Sequence, residues 1–205
     1  MNRIGQLLYK LHRGYFYLKK KYNSFIFSLA VCKCGHGTDI MPEFRLEGGK
    51  YISVGNNFMA RSGLRLEAWD QYEAFRYTPA ICIGDNVRVG EHCHIGSINE
   101  IIIGNNVLMG SKVYITDHHH GTTDMDDLEK HPVDRELYSK GKVVIEDNVF
   151  IGDNVVIMPG VKVGHNSVLA AGTVVTKCVP PFSVVCGIPG KIIKKRSEKE
   201  NAGDC

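Results

Sequence analysis

The chain of 205 residues has a single tryptophan, no C-x-x-C pair and no acidic side chain before Asp39. Its longest N-terminal apolar run, residues 25–32, is eight residues long and already contains Ser28. That is far short of the roughly 18 residues of a membrane-spanning helix. No small-residue cleavage site follows it, so a secretory signal is not expected. The seven cysteines are odd in number and irregularly spaced. A disulfide framework or a zinc ribbon is therefore not expected, and the thiols read as free in a reducing cytoplasm. With 43% hydrophobic and 23% charged residues, bulk disorder is excluded as well. The length suits one domain with a sizeable core.

Charge is unevenly placed. Residues 1–38 carry a net +7, residues 191–205 a net +2 and the middle a net −6. A nucleic-acid-binding domain would carry its cations across the folded face, so no nucleic-acid partner is expected.

What the middle does have is a stride of six. Ile83, Val89 and Ile95 are followed, after a slip of two, by Ile103, Met109 and Ile115. The stride resumes at Ile145 and runs through Ile151, Ile157, Val163, Leu169 and Val175. A weaker upstream set is Ile40, Leu46, Val54, Ala60 and Leu66, with the same slip between Leu46 and Val54. A second small or branched series includes Val87, Val107, Val149 and Thr173, and glycine often follows the first. A period of six is neither helical nor a simple strand alternation. It is the mark of a hexapeptide β-helix, with three hexapeptides per triangular coil and the aliphatic residue pointing inward. Pairs such as Asp85-Asn86, Asn105-Asn106 and Asp147-Asn148 suit the corners. The expected fold is all-β: a left-handed parallel β-helix, with an N-terminal amphipathic helix and a short C-terminal helix.

Two stretches, about 67–80 and 117–142, break the stride. The first holds Trp69, Tyr72, Phe75 and Tyr77; the second holds Asp117-His118-His119-His120-Gly121 and Glu136-Leu137-Tyr138-Ser139. Insertions from a rigid solenoid commonly build binding sites; residues 122–129 also suit a disordered polar excursion. At the N-terminus, Ile4, Leu7, Leu8, Leu11, Tyr15 and Leu18 follow helical spacing beside Arg3, Lys10, Arg13 and Lys19 to Lys21. Two readings stay open for this helix: an interfacial helix favouring anionic lipid, and a helix packed on the solenoid. The organisation is thus a basic helical segment at 1–38, a β-helix domain at 39–190 and a basic helix and tail at 191–205.

Residues 145–195 carry a family resemblance. Val149-Phe150-Ile151-Gly152, Ile157-Met158-Pro159-Gly160-Val161, Ala171-Gly172-Thr173-Val174-Val175-Thr176-Lys177 and Val185-Cys186-Gly187-Ile188-Pro189-Gly190-Lys191 resemble the closing coils of the hexapeptide-repeat acyltransferases. The maltose/galactoside O-acetyltransferase group is the most similar. Ile115-Thr116-Asp117-His118-His119-His120-Gly121 resembles the branch serving capsule, colanic acid and lipopolysaccharide synthesis, which usually has Asn at the position of His119. The resemblance covers about residues 40–196. It implies direct acetyl transfer from acetyl-CoA, a co-substrate, to a sugar hydroxyl, with no metal required. His118 would be the general base and Glu136 the carboxylate that orients it or holds the acceptor, with Asp117 as the local alternative. Asp117, His94 and Trp69 are candidates for acceptor binding, and His120 is the second candidate for base. Gly152, Asp153, Ala171, Thr176, Lys177, Lys191 and Lys194 would hold the coenzyme. The same resemblance implies a homotrimer; the residue pattern places it in the cytoplasm, and the interfacial reading of the N-terminal helix would add a peripheral contact to the inner membrane. The acceptor would be a sugar, a nucleotide-sugar or a lipid-linked glycan.

Histidine suits the base because its ordinary pKa of about 6.5 lies close to neutral pH. Three other readings share the fold: a chloramphenicol/streptogramin-type acetyltransferase, a γ-carbonic-anhydrase-like zinc lyase drawing on His92, His94 and His118 to His120, and a non-catalytic scaffold. Consecutive histidines do not point one way on a strand, which disfavours the zinc site.

Overall fold

The computed structural model describes residues 3–196. The helix α1 (Arg3–Ala30) leads into a left-handed parallel β-helix with three flat faces. The first face has six strands, from Lys33–Cys34 to Lys162–Val163; the second has eight, from Asp39–Ile40 to Lys191–Lys195; the third has six, from Arg45–Glu47 to Val174–Val175. The solenoid therefore starts at Lys33 rather than at residue 39. The expected C-terminal helix is also corrected. Lys191–Lys195 is a strand, antiparallel to Ser183–Cys186 and closing the second face. A solenoid end is an open edge of unpaired main-chain groups, and a returning strand pairs them. The tail after Arg196 lies outside the described residues.

The six-residue stride becomes stacked columns of side chains. Ile83 pairs with Ile103, Ile103 with Ile145, and Ile145 with Val163. Met109, Ile151 and Leu169 stack on the second face, and Ile95, Ile115, Ile157 and Val175 on the third. All of these are buried.

Corners are held by side chains that bond the next coil. Asp85 Oδ1 accepts from Asn56 N–H at 2.6 Å, and Asp147 Oδ1 accepts from Asn105 N–H at 2.7 Å. Asn57, Asn86, Asn106 and Asn148 form an amide ladder, each donating to the next at 2.9–3.1 Å. These asparagines take the left-handed backbone, with φ of 57–58°, and before Asn57, Asn86 and Asn106 a glycine two residues earlier supplies space. A Cβ on Gly84 would lie 2.8 Å from the Gly104 carbonyl. Asparagine tolerates that conformation because its side chain bonds locally.

All longer departures from the stride fall at one corner, between the third and first faces. There residues 69–79 form a hairpin of Gln71–Tyr72 with Phe75–Arg76. Residues 117–142 leave at the same corner two strand layers on, and pair His119–His120 with Leu137–Tyr138. Residues 122–129 are not a structureless excursion: Met125–Leu128 is helical, and Asp127 accepts from Thr122 N–H at 2.8 Å. The two insertions meet. Tyr77 Oη accepts from Leu137 N–H at 2.9 Å, and the Tyr72 ring meets His120 edge-on at 5.2 Å.

If the stacked columns hold the solenoid, Ile151→Ala, far from this corner, should cost about 2–5 kcal/mol. The midpoint of equilibrium chemical denaturation would show it. A cost within 0.5 kcal/mol or so would mean that the column is not well packed.

Candidate active site

The two insertions and the third face enclose a cavity of about 190 Å³ whose lining includes Glu67, Trp69, His94, Gly96, Tyr114 and His118. Its floor is set by neighbouring strands. His94 pairs with Tyr114, and Gly96 with Thr116, in parallel register, so His94 and the His118 that follows Thr116 arrive side by side. Gly96 keeps room between them. A Cβ there would be 3.3 Å from His94 Nε2 and 3.7 Å from His118 Cε1.

His118 is held by Asp117. Its Nδ1–H donates to Asp117 Oδ1 at 3.0 Å, and Thr116 Oγ1 accepts from its main-chain N–H at 3.3 Å. Asp117 is fully buried. It also receives Ser97 Oγ–H at 2.6 Å and the N–H groups of Ile98 and Asn99 at 2.9 Å each. Burial works against its charge, but the bonds from His118, Ser97, Ile98 and Asn99 outweigh that and hold its pKa below the ordinary value. A buried carboxylate with four donors is a fixed negative charge behind the imidazole. With Nδ1 committed, Nε2 is left to take a proton from a bound group.

A second charged cluster lies beside the first. Glu67 is 2% exposed and bonds Arg65 at 3.0 Å, Arg45 at 3.1 Å and His94 Nε2 at 3.0 Å. Burial, then the Arg65 charge, lowers the His94 pKa against the opposing pull of Glu67. At neutral pH His94 is thus a neutral ring donating to Glu67. Tyr114 packs beside it, with ring centroids 5.1 Å apart.

The structure therefore brings together His118, His94 and Trp69, with Asp117 directly behind. It reassigns two of the expected roles. Asp117 has no face toward an acceptor, because its oxygens are occupied by His118 and the bend at 97–99. Glu136 is exposed and outside the cavity lining, and its main-chain carbonyl accepts from Gly121 N–H at 2.9 Å. Leu137 is the residue of that segment that lines the cavity. His120 lines it too, but its ring meets Tyr72 rather than a carboxylate. Glu67 was not among the sequence candidates. The available signal was an acid directly after the inward-facing Leu66, at the point where the stride breaks.

None of the seven coenzyme candidates lines this cavity. Gly152, Asp153 and Ala171 stack at the corner between the second and third faces, where Gly172 N–H bonds Asp153 O at 2.8 Å. The Asp153 carboxylate accepts from Ser111 N–H at 2.6 Å, so its side chain is a coil fastener. Thr176 and Lys177 are exposed after the last strand of the third face, and Lys191 and Lys194 are exposed on the returning strand. Among the described residues, no group of three His, Cys, Asp or Glu is placed to hold a metal ion.

Comparisons with known proteins agree with this architecture. Residues 142–177 match the family model "Bacterial transferase hexapeptide (six repeats)". The chain is 38% identical over 147 residues to a protein of Escherichia coli (strain K12) named as a lipopolysaccharide biosynthesis O-acetyl transferase, covering 70% of this chain and 71% of that one. It is 34% identical to the galactoside O-acetyltransferase of the same strain, over 62% of this chain and 59% of the relative. Among solved structures, a hexapeptide-repeat acetyltransferase of Vibrio cholerae O1 biovar eltor complexed with acetyl coenzyme A superposes with a TM-score of 0.54 at 27% identity, covering 84% of this chain and 75% of that one. A galactoside acetyltransferase in complex with coenzyme A gives 0.53 at 28% identity, covering 85% and 70%. Repeat, fold and relatives converge: the chain belongs to the hexapeptide-repeat acetyltransferases.

Proposed function

We propose that the protein moves an acetyl group from acetyl-CoA to a hydroxyl of a sugar in bacterial surface-polysaccharide synthesis, with His118 as the general base. The observation that carries this reading is the Asp117–His118 pair at the floor of a cavity walled by Trp69, Tyr114 and the Glu67–His94 pair. Those walls offer an aromatic face and fixed polar groups, the combination that orients a sugar ring.

The transfer uses one proton and one bond exchange. As the acceptor oxygen attacks the thioester carbonyl carbon, its proton passes to His118 Nε2. The imidazolium so formed is stabilised by the buried Asp117 carboxylate, as in other carboxylate–histidine pairs. When the tetrahedral intermediate collapses, the C–S bond breaks and the leaving sulfur takes the proton from His118, which returns to neutral. No acyl-enzyme is needed, so donor and acceptor must be bound together.

A homotrimer fits the same geometry. The coenzyme candidates of one chain lie outside the cavity that holds its own His118, an arrangement that suits a donor groove completed by a neighbouring subunit. Asp153 would then contribute through its main chain alone.

Two outcomes test the mechanism. His118→Ala should lower kcat on the order of 10²–10⁴-fold, read as thiol release from acetyl-CoA over a panel of nucleotide- and lipid-linked sugars. Glu136→Gln should leave turnover within a few-fold of the parent. Sugar-dependent release that survives His118→Ala would sink the assignment.

Asp117→Asn tests the fixed charge. Its amide would face donors from His118 and the 97–99 bend, at a cost of about 1–3 kcal/mol. The sign with pH follows from the lowered pKa. An unfolded carboxyl titrates near 3.8, so Asp117 stabilises the fold fully above that pH and loses the contribution as pH falls through its lower folded value. The gap in melting temperature between parent and Asp117→Asn should be widest near neutral pH and narrow below about pH 4. A gap independent of pH would mean that Asp117 is not a charged partner.

A further inference from the structure

We propose that α1 is a membrane-surface anchor that lays the solenoid against anionic lipid. Leu11, Tyr15, Leu18, Tyr22, Phe25 and Leu29 recur at alternating steps of four and three, so they share one face of the helix. Ile4 and Leu8 continue it toward the N-terminus. Every member is at least 60% exposed, with Leu18 at 67% and Leu29 at 69%. An apolar stripe of this length left in water calls for a partner.

The solenoid does not supply one, because it grips the opposite side. Phe27 is fully buried against Phe44 and Phe58, with ring centroids 5.8 and 6.0 Å away. Lys20 Nζ bonds Asp39 at 2.7 Å, and Ser24 Oγ accepts from Ile40 N–H at 2.9 Å. These contacts fix the rotation of the helix about its axis, and the stripe points away from the protein.

Charge selects the occupant. Exposed Lys10 and Lys21 flank the stripe on one side and Lys19 on the other, and the helix contains no acid. A second copy packed through the same stripe would bring Lys19 and Lys21 against cations with no carboxylate between them, the reverse of the charge pairing that favours helix association. An anionic lipid surface satisfies both elements, apolar side chains entering the acyl boundary while lysines reach the headgroups. Tyr15 and Tyr22 suit that boundary, having an apolar ring and a polar tip. No helix among the described residues is long and apolar enough to cross a membrane, so the helix lies in the surface plane.

The full chain can be sedimented with sucrose-loaded vesicles of equimolar phosphatidylglycerol and phosphatidylcholine, or of phosphatidylcholine alone. We expect binding to the first, little to the second, and release as salt shortens the screening length. The triple substitution Lys10→Gln, Lys19→Gln, Lys21→Gln leaves the core untouched and should weaken binding on the order of 100-fold, from about fivefold per cation. Leu11→Glu with Leu18→Glu should abolish it while circular dichroism and thiol release stay at the parent's level. Failure of the parent chain to bind anionic vesicles would overturn the proposal. So would unchanged binding by the leucine variant. A parent that ignores vesicles and loses assembly mass by light scattering on Leu11→Glu with Leu18→Glu would assign the stripe to a second copy.

Discussion

Each coil must lie within main-chain hydrogen-bonding distance of the next on all three faces, about 4.8 Å away. That constraint governs the rest of the molecule. It requires small residues wherever successive coils touch at a corner, as at Gly84 against Gly104. It requires the inward aliphatic residues to fall in columns, since a strand out of step would lose both its ladder and its place in the core. It also confines extra residues to the corners. The insertions and the slip between Ile95 and Ile103 all leave the coil between the third and first faces.

Stacking at a single corner is what turns insertions into a site. The hairpin at 71–76 and the excursion at 117–142 emerge from coils on either side of the one that carries the slip, so they close over it and touch through Tyr77 and Tyr72. Between them the slip at 97–99 faces the cavity floor. Its two extra residues bend the chain so that the Ser97 hydroxyl and the Ile98 and Asn99 N–H groups converge on Asp117. A buried carboxylate without such donors would take up a proton. With them it stays charged and holds the His118 ring. The irregularity in the repeat and the fixed orientation of His118 are therefore one feature seen at two scales.

Exposed cations and an apolar stripe meet on α1. The solenoid presents a net acidic sequence and fills its interior with aliphatic columns. The helix α1 carries its cations and its apolar stripe outside and uses one aromatic residue, Phe27, with a few polar bonds to fix its orientation. A helix whose apolar face packed on the solenoid would have left the lysines as ordinary solvated charges. The observed rotation places lysines and stripe on the same outer surface.

The stride of six determined the fold by itself, because the periodicity and the stacking are the same physical fact: Ile145, Ile151 and Ile157 are spaced so that each enters the prism once per face. It also determined where the chain leaves the prism, and the resemblance around residues 115–121 pointed to His118. What the tertiary structure alone decided is which groups meet. Glu136 and Asp117 were both available as the carboxylate for His118. The choice fell to Asp117 because the donors that keep it ionised come from residues 97–99, some twenty positions earlier in the chain and one coil below. Glu67 joined His94 for the same reason, its strand lying directly under the one that carries His94. The C-terminal segment read as a helix from its charge pattern, but it became a strand because the last coil offered an unpaired edge. Contacts between neighbouring coils arise at separations set by loop length, and no local pattern records them; only coil closure brings those residues to the same corner.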